Sequence, residues 1–332
     1  MGLEVDRAYG VRQHDGLVSS LQKQNGLRGF RALVFVNPGA GAGRAGRHLL
    51  RVRRAFEVGN APADFVLTET TKDLESRARV AIGQGRRFLF AMGGDGTFQG
   101  LANAAYGSDV VVGVVPAGGG NDFAAALGIP KDPVAAVRVM LYGQARSVDL
   151  LRARTSDGCE RMYVGGGGLG LDGEISRYAS GVYRRLPGRW RYLVSAVRAW
   201  LEFTPLSVRA EFPGSEEASI EASVLLAGVL NASRYGAGLR VAPAAKINDG
   251  WLNLSFVRKL TAIEVLGLVP RLLKDGTLPE SYLQQRQARR VVLRADRPCF
   301  FQGDGEILGP APVEIEVVPG ALKVLAPAAP GR

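Results

Sequence analysis

The chain has 332 residues, 46% of them hydrophobic, which is enough apolar material for a large core and suits two domains better than one or three. With 42 Lys and Arg against 31 Asp and Glu, the formal charge is +11, so the favoured partners are anionic: nucleotides, nucleic acid or an acidic membrane surface. Cys159 and Cys299 are the only cysteines and His14 and His48 the only histidines; this excludes a disulfide framework, a zinc site and chemistry that turns on a histidine base, and leaves acid–base work to carboxylates.

Residues 1–29 lack the apolar segment of a signal peptide and any clear periodicity, and are expected to form a flexible leader. No apolar run reaches the ~18 residues of a membrane span, so a cytoplasmic protein with only peripheral membrane contact is expected. From Ala32 onward short apolar runs alternate with helical stretches. Ala32–Val36, Phe65–Thr68, Phe88–Met92 and Val110–Val115 read as buried parallel strands, with helices over Arg44–Val58, Thr71–Gly83 and Thr97–Ala105 between and after them. This order predicts a doubly wound α/β domain over residues 30–147, whose ligands sit beyond the carboxyl ends of its strands.

After Asp149 the pattern changes to strand-like runs separated by turns: Glu221–Leu230, Trp251–Val257, Gln287–Leu293, Val313–Val318 and Leu322–Leu325. A β-rich second domain over 148–319 follows, with 320–327 returning to complete the first. One helical stretch differs. Leu186, Trp190, Leu193, Val197 and Leu201 recur at helical spacing among Arg184, Arg185, Arg189, Arg191 and Arg198, which suits either a helix packed on its own domain with solvated arginines or one that docks on an acidic bilayer.

Three glycine loops fall at strand ends. The first, Asn37 to Gly46 (NPGAGAGRAG), opens a helix, and its amides suit a phosphate; its glycines at 41, 43 and 46 also match the dinucleotide-binding pattern, and a plain tight turn is the third reading. The second, Met92 to Thr97 (MGGDGT), sets Gly93, Gly94 and Gly96 around Asp95 just before a helix, so the backbone can approach phosphate oxygens while the carboxylate faces magnesium or orients the transferred group. The third, Pro116 to Phe123 (PAGGGNDF), pairs glycines with Asn121 and Asp122, which are also good helix caps.

Together, NPGAGAG, GGDGT and PAGGGNDFA in this order resemble the soluble bacterial diacylglycerol kinases, relatives of sphingosine and ceramide kinases. The resemblance runs from about Arg31 to Pro327 through Val148-Asp149-Leu150, Gly165–Asp172, Tyr235 to Pro243, Ile247 to Gly250, Gly303 to Glu306 and Pro319 to Leu322. It implies an NAD kinase- and phosphofructokinase-like α/β domain packed against a β-sandwich, with ATP and a lipid substrate meeting in the cleft. It further implies that Asn37, Thr68, Gly93, Gly94, Asp95, Gly96, Thr97, Gly119, Asn121 and Asp122 bind the nucleotide. Glu306 would be the proton acceptor, supported by Asp304, with Asp95 also part of the catalytic set. A structural magnesium would rest on Asp249 and the carbonyls of Lys246 and Trp251. The partners expected are a lipid and an acidic membrane surface and no specific nucleic acid, with a homodimer left open.

The chain departs from that pattern in four places. Phe98-Gln99-Gly100 stands where Asn-Glu is usual after GGDGT, Gly119 replaces a Thr, Ala40 a Ser and Ala125 an Arg. Each lost hydroxyl or charge contact weakens nucleotide binding by ~1–3 kcal/mol unless something compensates. A divergent but active kinase is the leading expectation, beside an NAD kinase-like phosphotransferase and a catalytically weak lipid-binding relative.

Overall fold

The computed structural model describes residues 31–328, apart from 184–185, 187, 237, 262, 265–266, 269–270 and 272–275. Four parallel strands form the first layer: β1 (Ala32–Val36), β2 (Ala63–Leu67), β3 (Phe88–Gly93) and β4 (Val111–Pro116), in the order β4-β3-β1-β2. Helices α1 (Ala40–Val58), α2 (Thr71–Gly83), α3 (Asp95–Ala105), α4 (Asp122–Ala126) and α5 (Pro133–Tyr142) connect and follow them. Val34, Phe35, Val36, Leu89, Met92, Val112 and Val115 are sealed from solvent, as strands covered on both faces must be. Two start signals are legible in α2: the Thr70 hydroxyl accepts the Asp73 amide at 3.1 Å, and the Asp73 carboxylate accepts the Glu69 amide at 3.2 Å.

The second domain is built from long antiparallel strands. They are β5 (Gln144–Thr155), β6 (Glu160–Tyr163), β7 (Gly166–Gly170), β8 (Leu206–Glu211), β9 (Ile220–Leu230), β10 (Leu252–Arg258), β11 (Leu283–Ala288), β12 (Arg290–Ala295), β13 (Phe300–Gly303), β14 (Glu306–Pro310) and β15 (Val313–Ala326). Helix α6 (Leu171–Ser180) lies beside β7, β13 and β14, and α7 (Gly188–Glu202) packs against α6. Leu151, Tyr163, Val208, Val229, Leu254, Leu293, Phe301 and Ile315 fill its core, giving an α/β domain followed by a β-sandwich-like one.

Two strand expectations need correcting. Gln287–Leu293 is not one strand: the chain breaks at Arg289, with β11 pairing to β10 and β12 to β8 and β15. Val313–Val318 and Leu322–Leu325 are one strand, β15, because Pro319-Gly320 forms a bulge that partner β5 spans. Beyond the bulge Lys323 and Val324 pair in parallel with Val111 and Val112 of β4, so β15 joins the parallel strands of the first domain to the antiparallel strands of the second in one continuous sheet.

Candidate active site

The three glycine loops meet at one end of the parallel sheet, packed so tightly that side chains are excluded. A Cβ on Gly41 would lie 2.1 Å from the Ala117 carbonyl oxygen, and one on Gly118 would lie 2.3 Å from the Gly94 Cα. Loop one enters α1 through three consecutive left-handed residues, Gly41, Ala42 and Gly43, with φ of 61°, 59° and 79°. This conformation suits glycine and leaves Ala42 strained.

Hydrogen bonds tie the loops together. Asn37 closes its own turn by accepting the Gly39 amide at 3.2 Å, and its amide group reaches the buried Thr97 hydroxyl at 3.5 Å. The Gly93 carbonyl accepts the amides of Ala117 and Gly118 at 2.7 and 3.0 Å. Asp95 accepts the amides of Asn121 at 2.8 Å and Phe123 at 3.3 Å, and burial raises its pKa. Its carboxylate therefore serves first to join loop two to loop three. Asn121 sits at φ 60° with its side chain folded onto Gly118, while Asp122 opens α4. Thr68 is buried, its hydroxyl donating to the Val36 carbonyl at 3.1 Å, and so braces the start of loop one. Gly119 has open space where a side chain would point.

The opposite wall is the β13–β14 hairpin. Asp304, at φ 49°, turns back on its own domain and accepts the amides of Val164, Gly165 and Gly166 at 2.7, 2.9 and 3.1 Å. Burial, with the charge of Asp95 behind it, pushes its pKa up to about 7 against those hydrogen bonds. Glu306 faces the other domain: its Oε1 is 3.6 Å from where a Cβ of Gly96 would stand and accepts the Thr71 hydroxyl at 2.7 Å.

Three groups that the motifs do not assign a role complete this wall. The Asp172 carboxylate accepts the Tyr235 hydroxyl at 2.6 Å and the Gln302 amide at 2.8 Å, and Gln302 Oε1 accepts the Gly305 amide at 2.9 Å. Burial raises Asp172 to about 6 and, with the Asp172 charge, lifts Tyr235 well above the phenol range. Asp172 closes one stretch that carries the resemblance and Tyr235 opens another, whereas Gln302 and Thr71 reach the site only through folding. Behind the hairpin lies a cavity of about 470 Å³ lined in part by Gly173, Tyr178, Phe203, Phe300 and Ile307. On α7, Val197 and Leu201 are exposed while Ser195 and Ala199 are buried, and Leu186, ahead of the helix, is exposed; the side chains of Trp190 and Leu193 lie outside the described residues.

Asp249, Lys246 and Trp251 lie apart from this cleft, at the Asn248-Asp249-Gly250 turn. The turn is closed by its own bonds: Asp149 accepts the amides of Gly250 and Gly320 at 2.7 and 2.8 Å, and Asp249 accepts the Trp251 amide at 3.1 Å. Among the described residues no three His, Cys, Asp or Glu side chains cluster as a metal cage. The donors at this turn suit a hydrated ion held through one carboxylate and backbone carbonyls.

The profile described as diacylglycerol kinase catalytic domain matches residues 31–153, and that described as YegS C-terminal NAD kinase beta sandwich-like domain matches residues 167–326. A diacylglycerol kinase of Mycobacterium tuberculosis is 30% identical over 249 residues, covering 74% of this chain and 79% of its own. A probable YegS-like lipid kinase of Chromohalobacter salexigens is 32% identical over 258 residues, covering 75% of this chain and 79% of its own. The crystal structure of a putative diacylglycerol kinase from Bacillus anthracis has the same fold, with a TM-score of 0.72 over 89% of this chain and 95% of that one at 20% identity.

Proposed function

Because the chain belongs to the diacylglycerol kinase family of lipid kinases, and is thus an ATP-dependent kinase, we propose that it phosphorylates the hydroxyl of diacylglycerol or a closely similar lipid, with Glu306 as proton acceptor. The observation that carries this reading is the position of Glu306, a carboxylate from the second domain standing over the Gly96 backbone of the first. A base must reach the hydroxyl while the phosphates lie on the amides of the glycine loops. A group placed across the cleft meets that demand.

In this reading the interlocked backbones of the three loops cradle the phosphates, and Asp95 keeps loops two and three in register. Glu306 takes the hydroxyl proton as the lipid oxygen bonds to the γ-phosphorus and the bond to the leaving oxygen of ADP breaks. Asp304 and Gln302 hold the turn that presents Glu306. Magnesium, when bound, neutralises phosphate charge; a second ion at Asp249, with the carbonyls of Lys246 and Trp251, belongs to the same proposal.

No helix among the described residues is long and apolar enough to cross a membrane. The lipid is proposed to enter from a bilayer surface touched by α7, whose Val197 and Leu201 are exposed and whose Ala199 and Glu202 line the cavity together with Phe300 and Ile307.

The test is transfer of label from γ-labelled ATP to a panel of lipids in mixed micelles with magnesium, with NAD as a parallel acceptor. Labelled phosphatidic acid from diacylglycerol is the expected product. Label only in NADP would favour the NAD kinase-like alternative, and lipid binding without transfer to any acceptor would favour a non-catalytic relative.

A further inference from the structure

Gly100 sits in the middle of α3, fully buried, where glycine is a poor helix residue. The reason is the neighbouring helix. A Cβ at this position would lie 2.7 Å from the Thr71 Cγ2, 3.3 Å from the Thr71 carbonyl oxygen and 3.6 Å from the Leu74 Cδ2. Real Cβ contacts do not come this close to a methyl group, so α2 and α3 can cross as they do only over a bare backbone.

What the close crossing achieves is visible at the other side of Thr71. This is the first residue of α2, set by the Thr70 cap, and its hydroxyl donates to Glu306 Oε1 at 2.7 Å across 235 positions of sequence. The Glu306 side chain makes no other hydrogen bond or ion pair among the described residues, so its second oxygen is not engaged by them. The hairpin that carries Glu306 is held one turn away by the same helix pair: Gln99, adjacent to Gly100, donates to the Gly303 carbonyl at 3.3 Å and to the Met162 carbonyl at 3.4 Å. The amino-terminal domain thus grips the hairpin at two points, one of them the carboxylate itself.

We infer that Thr71 is a positioning residue for Glu306, and that Gly100 is a glycine so that Thr71 can reach it. This rests on the reading of Glu306 as proton acceptor. A carboxylate held by one oxygen from the domain that binds the nucleotide stays at a fixed distance from the phosphates, whatever the second domain does. Released, it swings with the hairpin, and a misplacement on the order of 1 Å lowers turnover by up to ~100-fold.

The experiment uses the full chain with labelled ATP and diacylglycerol in mixed micelles. Thr71→Val removes the donor and keeps the shape; kcat should fall by about 10- to 100-fold while the Kd for ATP, measured by titration, stays at the parent value. Thr71→Ser restores the donor and should bring kcat back to within a few-fold of the parent. Gly100→Ala should reduce kcat in the same way. Combining it with Thr71→Ser, which lacks the Cγ2 in the way, should recover a substantial part of the loss. Glu306→Gln separates the two claims. If it retains parent activity, the proton-acceptor reading fails and this inference with it. If it is inactive while Thr71→Val turns over like the parent, only the positioning role fails. A Gly100→Ala, Thr71→Ser double variant no better than Gly100→Ala alone would overturn the matched pair, even were Thr71→Val to fold poorly.

Discussion

The amide of Asn121 donates to the Asp95 carboxylate at 2.8 Å, which fastens the second glycine loop to the third. Because Phe123 donates to the other oxygen, replacing Asp95 by alanine orphans two amides in a half-buried site. A loss of stability of about 1–3 kcal/mol per unpaired amide is expected, read from urea unfolding midpoints, together with loss of ATP binding. Asp95→Asn keeps one acceptor oxygen and should lie between the two. A parent-like midpoint for Asp95→Ala would show that the loops do not depend on this tie.

Asp304 and Asp172 give a pH dependence with a definite sign. Their folded pKa values, about 7 and about 6, lie above the usual carboxylate value of 3.8. The folded state therefore holds protons that the unfolded chain has released. The stability they contribute is fully present below about pH 4 and is lost as pH rises toward 7. Thermal melts from pH 4.5 to 8 should show this decline in the parent and a shallower one in Asp304→Asn, which cannot ionise. Equal slopes would contradict the assignment of Asp304.

Gly41 permits no side chain, since its φ is 61° and a Cβ would run into the Ala117 carbonyl oxygen. Gly41→Ala should push loop one off loop three, raising the KM for ATP at least tenfold with a smaller effect on the lipid KM, because the damage is confined to the phosphate cradle. Gly119→Ala, where space is open, is the matched control and should leave both constants near the parent values.

The sequence made the parallel strands and the helix beginning at Thr71 legible, because buried runs and a capped helix start are local signals. It also showed the three loops as a group, since each follows a strand. What it could not show is how β15 joins the strands of the two domains, because Pro319-Gly320 reads locally as a strand end and only the continuous partner β5 makes it a bulge. Thr71 was invisible for a related reason. Nothing within its helix marks it, and its meaning comes from Glu306 far along the chain. Phe98-Gln99-Gly100 read as the loss of a carboxylate; in the fold Gln99 holds the hairpin and Gly100 makes room for Thr71.

For the membrane surface, Val197→Glu with Leu201→Glu should weaken sedimentation with anionic vesicles, because two exposed apolar side chains become negative on the face proposed to touch the bilayer. Turnover of a short-chain, water-dispersed diacylglycerol should be unaffected. Unchanged vesicle binding would place the contact elsewhere on the molecule.

Removal of metal by EDTA should abolish transfer, and magnesium should restore it. If Asp249 holds a second ion, magnesium in the absence of ATP should raise the melting temperature of the parent but not of Asp249→Asn. The same rise in both would place the ion away from Asp249, and no rise in either would leave magnesium to the nucleotide alone.

The central claim is that Glu306 takes the proton from the lipid hydroxyl, and it is tested most directly by comparing the parent with Glu306→Gln for transfer of labelled phosphate to diacylglycerol under saturating magnesium-ATP. Losing a general base typically lowers the rate by ~10²–10⁴-fold. The predicted result is a fall of that size in kcat with ATP affinity and melting temperature preserved. A Glu306→Gln enzyme that phosphorylates diacylglycerol at the parent rate would contradict it.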